Sequence, residues 1–286
     1  MREINSGTDG QDAGGEPDGG ASEAARFRAS PFYGALARAL ARRGMSTEGI
    51  CDADSAVGRR LLAEYGAMFL AADSVRVPPS CVFTSEEEVA RFQREARPRS
   101  ARFGDAEVEL QPAALDALLD AREEALAAGH DITPRGGPEA AKRGYADTVR
   151  LWDSRVRPAV EHWLGRSRLC EEEAALLRAL APEEQLGVVL GHEACGVFFS
   201  KDFSKPILQS VAAPGASQHL ALLAFDAVEF REPRVREILA RRGWFQTVLS
   251  DLPHFTFLGV REKELPALGL RRVEECGQQF WVPDVG

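Results

Sequence analysis

The sequence lacks the features that mark several classes of protein. No apolar run approaches the roughly 20 residues that a membrane helix needs. The first residues show no charged segment followed by an apolar stretch, so no secretory signal is visible. The formal net charge is −9, which argues against broad binding to nucleic acid. The sequence therefore predicts neither a transmembrane segment nor a nucleic-acid partner.

Cysteine is scarce, and its spacing is wide. The chain has five cysteines and no C-x-x-C pair. An odd number argues against a closed disulfide framework. We therefore expect free, buried thiols that behave as small hydrophobic residues, and no thiolate metal site. The five residues are Cys51, Cys81, Cys170, Cys195 and Cys276.

The composition predicts an ordered chain behind an unstructured beginning. Residues 1–24 hold six glycines, six acidic residues and no aromatic residue, so they cannot bury enough apolar surface to fold. We expect a disordered tail over 1–29, a helical segment over 30–78 and the main domain over 79–286. With 44% apolar residues, the chain can bury a substantial core.

Hydrophobic periodicity changes along the chain. Helices are predicted first, and runs rich in Val, Phe and Leu that are typical of strands follow. This order predicts an α+β fold in which helices flank a small antiparallel sheet. The predicted helices span 32–43, 54–72, 86–96, 112–128, 140–164, 171–180, 182–190 and 233–241. The predicted strands span 194–200, 208–212, 221–230, 254–260 and 279–282.

Two histidines and an aspartate supply the ligand set of a catalytic zinc ion. They are His219, Asp226 and His254. Three protein ligands leave the fourth tetrahedral position for water, and zinc lowers the pKa of that water to roughly 7. His219 and Asp226 differ in parity, so on one flat strand they would point to opposite faces. We therefore expect His219 in a turn before the strand, or a bulge between the two residues.

Each of these residues also has a structural interpretation. Asp226 lies in an apolar run, where a carboxylate is costly to bury unless it is paired or bound to metal, but it could cap a loop at a strand end. Asp251 could hold the attacking water as general base or be an ordinary turn residue. The histidines could be hydrogen-bonded core residues, and the neighbouring pair His192-Glu193 is predicted to be structural or to support a ligand histidine.

The spacing of these residues resembles a known family, the zinc-dependent VanY-type D-alanyl-D-alanine carboxypeptidases and related peptidoglycan peptidases. The family signature S-x-H-x-x-G-x-A-x-D is similar to residues 217–226, SQHLALLAFD. The later motif E-x-W-H-F/Y is similar to 251–255, DLPHF, and the preceding G-W-F to 243–245. The upstream S-G-Y-R-S-Y segment has a counterpart in 142–145, KRGY. The resemblance covers roughly residues 115–260, and the first two motifs together are specific.

The resemblance implies a role for each matching residue. His219, Asp226 and His254 would be zinc ligands, and Asp251 would replace the catalytic glutamate. Arg143 would bind the terminal carboxylate of the peptide, a task suited to a planar bidentate donor. Two further residues are candidate substrate contacts. They are Arg135, in a glycine-rich loop, and Ser217, which would orient His219 or contact substrate.

Three positions depart from the family pattern. Leu222 replaces a glycine, Pro253 replaces a tryptophan, and Asp251 is one methylene shorter than glutamate. A misplacement of about 1 Å can cost on the order of 100-fold in rate. A chain with these departures is therefore expected to be either a working enzyme or a metal-binding protein without full activity.

The sequence thus predicts a zinc metallopeptidase that acts as a carboxypeptidase on D-Ala-D-Ala-type peptidoglycan stem peptides. One alternative is a catalytically impaired metal-binding pseudoenzyme that serves as a cell-wall peptide-binding module. The other is a purely structural α+β protein. The family implies an extracytoplasmic location, in the periplasm or cell wall, although no signal peptide is visible.

Overall fold

The computed structural model describes residues 19–249 and 251–286 of the chain. The fold is α+β, as predicted, with helices around three small antiparallel sheets in the described part. The α-helices are α1 Gly19–Arg28, α2 Pro31–Arg42, α3 Thr47–Ile50, α4 Ala56–Tyr65, α5 Glu86–Glu95, α6 Pro112–Ala127, α7 Tyr145–Leu164, α8 Glu171–Ala179, α9 Pro182–Ala194 and α10 Pro233–Arg241. Short 3-10 helices span Gly66–Leu70, Gly137–Ala140, Ile207–Gln209, Gln218–Ala221 and Glu262–Leu268.

The strands form two hairpins and one central sheet. The hairpins pair β1 with β2 and β6 with β7. In the central sheet β5 lies between β3 and β4, and both pairings are antiparallel. The strands are β1 Arg99–Phe103, β2 Ala106–Leu110, β3 Ala224–Asp226, β4 Trp244–Phe245, β5 His254–Phe257, β6 Leu270–Glu275 and β7 Gln278–Pro283.

The central sheet is short but fully buried. Phe225, Trp244 and Phe255 on its strands belong to one hydrophobic cluster that also contains Phe32 and Phe69 from the N-terminal helices. Since apolar burial is the main favourable contribution to folding, these contacts join 30–78 to the rest of the chain in a single core. The sheet therefore offers a rigid base for residues at its ends.

Helix positions follow the local signals in the sequence closely. Ser30 and Ser85 cap α2 and α5, each accepting a hydrogen bond from a backbone N–H of the first turn, as their residue types predict. Pro158 lies inside α7, where proline usually kinks or breaks a helix, but the helix continues through it to Leu164. Buried Trp152 and Val156 before the proline show that packing against the core holds this helix.

Two predicted strands are wrong. Residues 194–200 begin as the end of α9, and 208–212 include the end of a 3-10 helix. The physical reason is a side chain: Glu193 Oε1 accepts hydrogen bonds from the N–H groups of Phe199, at 3.2 Å, and Ile207, at 2.6 Å. A carboxylate therefore satisfies backbone donors that a neighbouring strand would otherwise pair.

The β1–β2 hairpin was missed because its sequence predicts a basic turn over 98–104. Most β1 side chains lie towards solvent, and Phe103, Val108 and Leu110 fill the buried face of the hairpin. Cross-strand pairing and this small apolar face outweigh the polar composition. The hairpin packs against α6.

The N-terminal prediction needs a correction. The tail was expected to extend to residue 29, but α1 begins at Gly19, and Ala24 and Phe27 are buried. Phe27 packs against Tyr33 with ring centroids 5.8 Å apart, so apolar burial orders this segment. The remainder of the predicted tail, 1–18, lies outside the described residues.

The cysteine prediction is also wrong. Cys51 and Cys81 form a disulfide with their Cα atoms 5.5 Å apart, and Cys81 N–H donates to the Ile50 carbonyl. The other three cysteines are free but exposed. Composition could not reveal the pair, because 30 residues separate the two positions. No helix in the described ranges is long and apolar enough to cross a bilayer.

Candidate metal centre

A tight turn places His219 beside the central sheet. His219 lies in the 3-10 helix Gln218–Ala221, just before β3, as the parity of the motif predicted. The helix ends at Leu222, whose φ of 57° is left-handed. This is the position at which the family signature has glycine, and glycine adopts such a φ without steric cost. Leu222 therefore holds, in a buried position, a left-handed backbone conformation that favours glycine.

Strand pairing brings the other two residues together. Asp226 ends β3, His254 begins β5, and the two are direct cross-strand partners. His254 Nδ1 lies 3.2 Å and His219 Nε2 lies 3.4 Å from the same oxygen, Asp226 Oδ1. The ligand atoms of all three residues lie within 4.8 Å of one another. This buried group could hold a metal ion.

The state of His219 fits a ligand better than a structural residue. Its side chain is 1% exposed, and neither ring nitrogen has a hydrogen-bond partner among the described residues. His219 Nε2 approaches Asp226 Oδ1 to 3.4 Å without meeting hydrogen-bond geometry. Because an unpaired buried polar group is costly, this arrangement favours a metal ligand over a hydrogen-bonded core histidine. Burial, followed by the positive charge of Arg143, lowers the pKa of His219 to about 4. The imidazole is therefore neutral at pH 7, the form that binds metals.

Asp226 is ionised under the same conditions. Burial alone would raise its pKa, but the two histidines outweigh burial and hold the pKa of Asp226 well below its usual range. Its second oxygen, Oδ2, accepts a hydrogen bond from Arg143 Nη2 at 2.8 Å. One carboxylate oxygen is thus occupied by a cation, and the other faces both imidazoles.

A second layer of hydrogen bonds orients His254. Its Nε2 lies 2.9 Å from Gln218 Oε1, and Gln218 Nε2 donates to the Tyr65 carbonyl at 3.0 Å. Gln218 is 1% exposed. A metal-binding histidine commonly donates its second ring N–H to a carbonyl group, which fixes the ring orientation. Gln218 supplies that acceptor, leaving His254 Nδ1 directed towards Asp226.

Asp251 lines the same pocket as the three potential ligands. A short turn connects it to His254, whose N–H donates to the Asp251 carbonyl at 3.2 Å. Asp251 as a whole residue is exposed, but protein atoms around its carboxyl group displace water and raise its pKa, while nearby His254 opposes the change. A carboxylate with a raised pKa beside a candidate metal site suits proton transfer.

The predicted substrate contacts occupy different places. Arg143 lines the pocket, but its guanidinium already binds Asp226 Oδ2 and the Glu139 carbonyl. Ser217 also lines the pocket but does not orient the His219 ring, which has no hydrogen-bond partner. Arg135 is exposed, its guanidinium lies over Phe230, and its backbone N–H donates to the Asp226 carbonyl.

A second wall of the pocket is formed by residues other than the potential ligands. The cavity volume of the pocket is about 180 Å³. One water molecule needs only about 10–15 Å³. This wall combines one face of α7, including Arg155, with the segment 208–212. Tyr65 Oη donates to the Leu208 carbonyl. Glu193 anchors the start of this segment at Ile207, so its role is structural, and it makes no contact with a ligand histidine.

Sequence reasoning missed Gln218 and Arg155. Gln218 stands inside the first motif, next to His219, and its polarity in an apolar run was a usable signal. Arg155 carries no such signal, because it is one of several charged residues on a long helix. Comparison of the chain with protein-family models, curated proteins and solved structures finds no match.

Proposed function

We propose that this protein is a zinc-dependent peptidase that hydrolyses D-Ala-D-Ala-type peptidoglycan stem peptides as a carboxypeptidase. One observation carries the proposal: His219 and His254 converge on Asp226 Oδ1 in a pocket that Asp251 also lines. The same four residues occupy the ligand and acid–base positions of the motifs that the sequence resembles.

The donor set favours zinc over calcium and magnesium. Two imidazoles and one carboxylate form a catalytic ligand set of zinc that leaves one position open, whereas calcium and magnesium prefer oxygen ligands alone. The ring nitrogens of His219 form no hydrogen bond to a described residue, so they are available as metal ligands. A bound zinc ion would lower the pKa of a water molecule and polarise the scissile carbonyl.

Three protein side chains then have distinct roles in proton transfer, charge balance and ligand orientation. Asp251 accepts the proton of the attacking water and returns it to the leaving amine, which its raised pKa favours. Arg143 balances the charge of Asp226 through Oδ2 and so fixes the orientation of that carboxylate. Gln218 fixes the His254 ring, so the imidazole needs no reorientation during the reaction.

The proposed substrate class rests on the family resemblance and on the charge of the pocket. Arg143 and Arg155 line it together with Asp226 and Asp251. Arg143 pairs with Asp226, so Arg155 is the arginine that suits an anionic peptide end. The Cys51–Cys81 disulfide is the kind of bond that persists in oxidising compartments outside the cytoplasm. This agrees with the location of peptidoglycan, where we propose that the protein acts.

A non-catalytic alternative has one observation in its favour. Asp251 has a shorter side chain than the glutamate of the motif, and it makes no hydrogen bond through its carboxylate to another described residue. If the carboxylate does not reach the attacking water, the chain binds metal and peptide without turnover. This alternative is a cell-wall peptide-binding module.

Metal content and hydrolysis test the proposal together. We expect about one zinc per purified chain by elemental analysis, lost in the double variant His219→Ala/His254→Ala and retained in the control His130→Ala. The wild type should release D-alanine from a peptide ending in D-Ala-D-Ala, and Asp251→Ala should lose at least about 100-fold in kcat. A protein that binds zinc but does not hydrolyse the peptide would support the alternative, a cell-wall peptide-binding module. No metal after reconstitution with zinc would reject both functions.

A further inference from the structure

One face of α7 forms part of the second wall of the pocket. Thr148, Leu151 and Arg155 all line the pocket, and their spacing of three and four residues places them on one side of a helix. The Thr148 hydroxyl accepts a hydrogen bond from the Gly215 N–H at 3.1 Å. This end of the wall therefore adjoins the turn that carries His219, and Arg155 lies further along the helix.

Arg155 is held in place by hydroxyl groups. Its Nε donates to Ser210 Oγ at 3.0 Å, and its Nη1 donates to Ser154 Oγ at 2.8 Å. It forms no ion pair with an Asp or Glu side chain within the described ranges. Neutral hydroxyls fix the orientation of the guanidinium while leaving its charge uncompensated. No hydrogen bond from Nη2 to a described residue is present, and Nη1 keeps one of its two N–H groups, so the guanidinium retains donors for a carboxylate.

Arg143 is in the opposite situation. Its Nη2 lies 2.8 Å from Asp226 Oδ2, and its Nε donates to the Glu139 carbonyl. Its positive charge is therefore already balanced by a carboxylate that belongs to the candidate metal centre. A substrate anion would have to compete with Asp226 for Arg143, whereas at Arg155 it would meet no competing carboxylate.

We infer that Arg155 binds the C-terminal carboxylate of the peptide and so restricts the site to cleavage near a free carboxyl end. This inference rests on the proposed peptidase function and deepens it, because it separates exopeptidase from endopeptidase action. Arg155 lines the same pocket as His219 and His254, so one short peptide end can reach both the guanidinium and the candidate metal centre. Arg155 thus selects short leaving groups that end in a carboxylate.

Binding of two peptides that differ only in their C-terminal group tests the inference. The probes are an N-acetylated peptide ending in D-Ala-D-Ala and the same peptide as its C-terminal amide. Calorimetry with the zinc-loaded Asp251→Asn protein avoids turnover during the titration. We expect the free acid to bind at least about tenfold more tightly than the amide. The additional change Arg155→Met should abolish this preference by weakening the acid alone.

Two further variants keep the test decisive. Arg157→Met, an exposed arginine on the same helix that pairs with Asp153, should leave the preference intact. Arg155→Lys retains a charge but lacks the planar fork, so it should keep only part of the preference even if Arg155→Met misfolds. Zinc content confirms that each variant is folded at the metal centre.

Each outcome separates this inference from the proposed function. Wild-type hydrolysis of acid and amide at equal rates would overturn the role of Arg155 and leave the peptidase standing. A preference for the acid that depends on Arg155, without any hydrolysis, would support the inference and reject the peptidase. Equal binding of both peptides, or an undiminished preference in Arg155→Met, would overturn the inference, as would no binding of either peptide.

Discussion

Asp226 is the residue on which the candidate metal centre depends. Its Oδ2 is held by Arg143, and its Oδ1 faces both His219 and His254. A buried carboxylate with only one partner would be destabilising, and here its two oxygens face a guanidinium and two imidazoles. The arginine thereby stabilises the charge and fixes the rotation of the carboxylate, so that one defined oxygen faces the imidazoles.

Gln218 allows a prediction about metal affinity at the scale of single residues. Because its Oε1 accepts from His254 Nε2, Gln218→Met should lower zinc affinity by about 10–100-fold, although all three ligands remain. Gln93→Met is the matched control, since this buried glutamine donates to the Arg143 and Leu220 carbonyls and does not contact a ligand side chain. Competition with a chromophoric chelator measures both affinities. Equal affinity of Gln218→Met and the wild type would show that His254 is oriented without the amide.

At the scale of secondary-structure elements, the turn before His219 depends on one glycine. Gly215 has a φ of +75°, its carbonyl accepts from the Phe83 N–H, and an added Cβ would lie 1.9 Å from the Phe83 carbonyl oxygen. The turn and the segment around Phe83 therefore approach more closely than any side chain permits.

Gly215→Ala should consequently destabilise the fold by at least about 3 kcal/mol, because backbone must move to relieve the contact. Gly129 is the matched control: its φ is +80° and nothing lies within 4 Å of an added Cβ. Gly129→Ala should cost only about 1 kcal/mol, from the left-handed backbone alone. Urea unfolding of the two variants separates the steric contact from the backbone conformation. Similar losses for both would mean that the close approach at Gly215 relaxes without cost.

Elements with local signals could be predicted from the sequence, and those without could not. The helix 233–241 coincides with α10, and α5 begins where Ser85 caps it. The strands at 194–200 and 208–212 failed because Glu193 binds backbone groups from a distance in sequence. Hairpin β1–β2 was missed because its register, not its composition, forms the apolar face.

The same distinction holds for the site when the whole molecule is considered. The three potential ligands lie within two motifs, and the pairing of Asp226 with His254 joins those motifs. The second wall of the pocket comes from α7 and the segment 208–212. Only tertiary packing brings Arg155 into the same pocket as the potential ligands. A motif can thus predict the chemistry of the centre, whereas the residues that select a substrate emerge from the fold.

Zinc binding should stabilise the whole chain, because the ligands come from a turn and from two strands of the central sheet, β3 and β5. The unfolded chain cannot hold these ligand atoms within 4.8 Å of one another, so metal binds the native state selectively. At a free zinc concentration of 100 times Kd, the free energy of unfolding should rise by about 2.7 kcal/mol. Urea unfolding at pH 7 with and without zinc measures the gain, and His254→Ala should abolish it. A gain that persists in His254→Ala would place the stabilising metal elsewhere, since His254 supplies one of the two imidazoles at this centre.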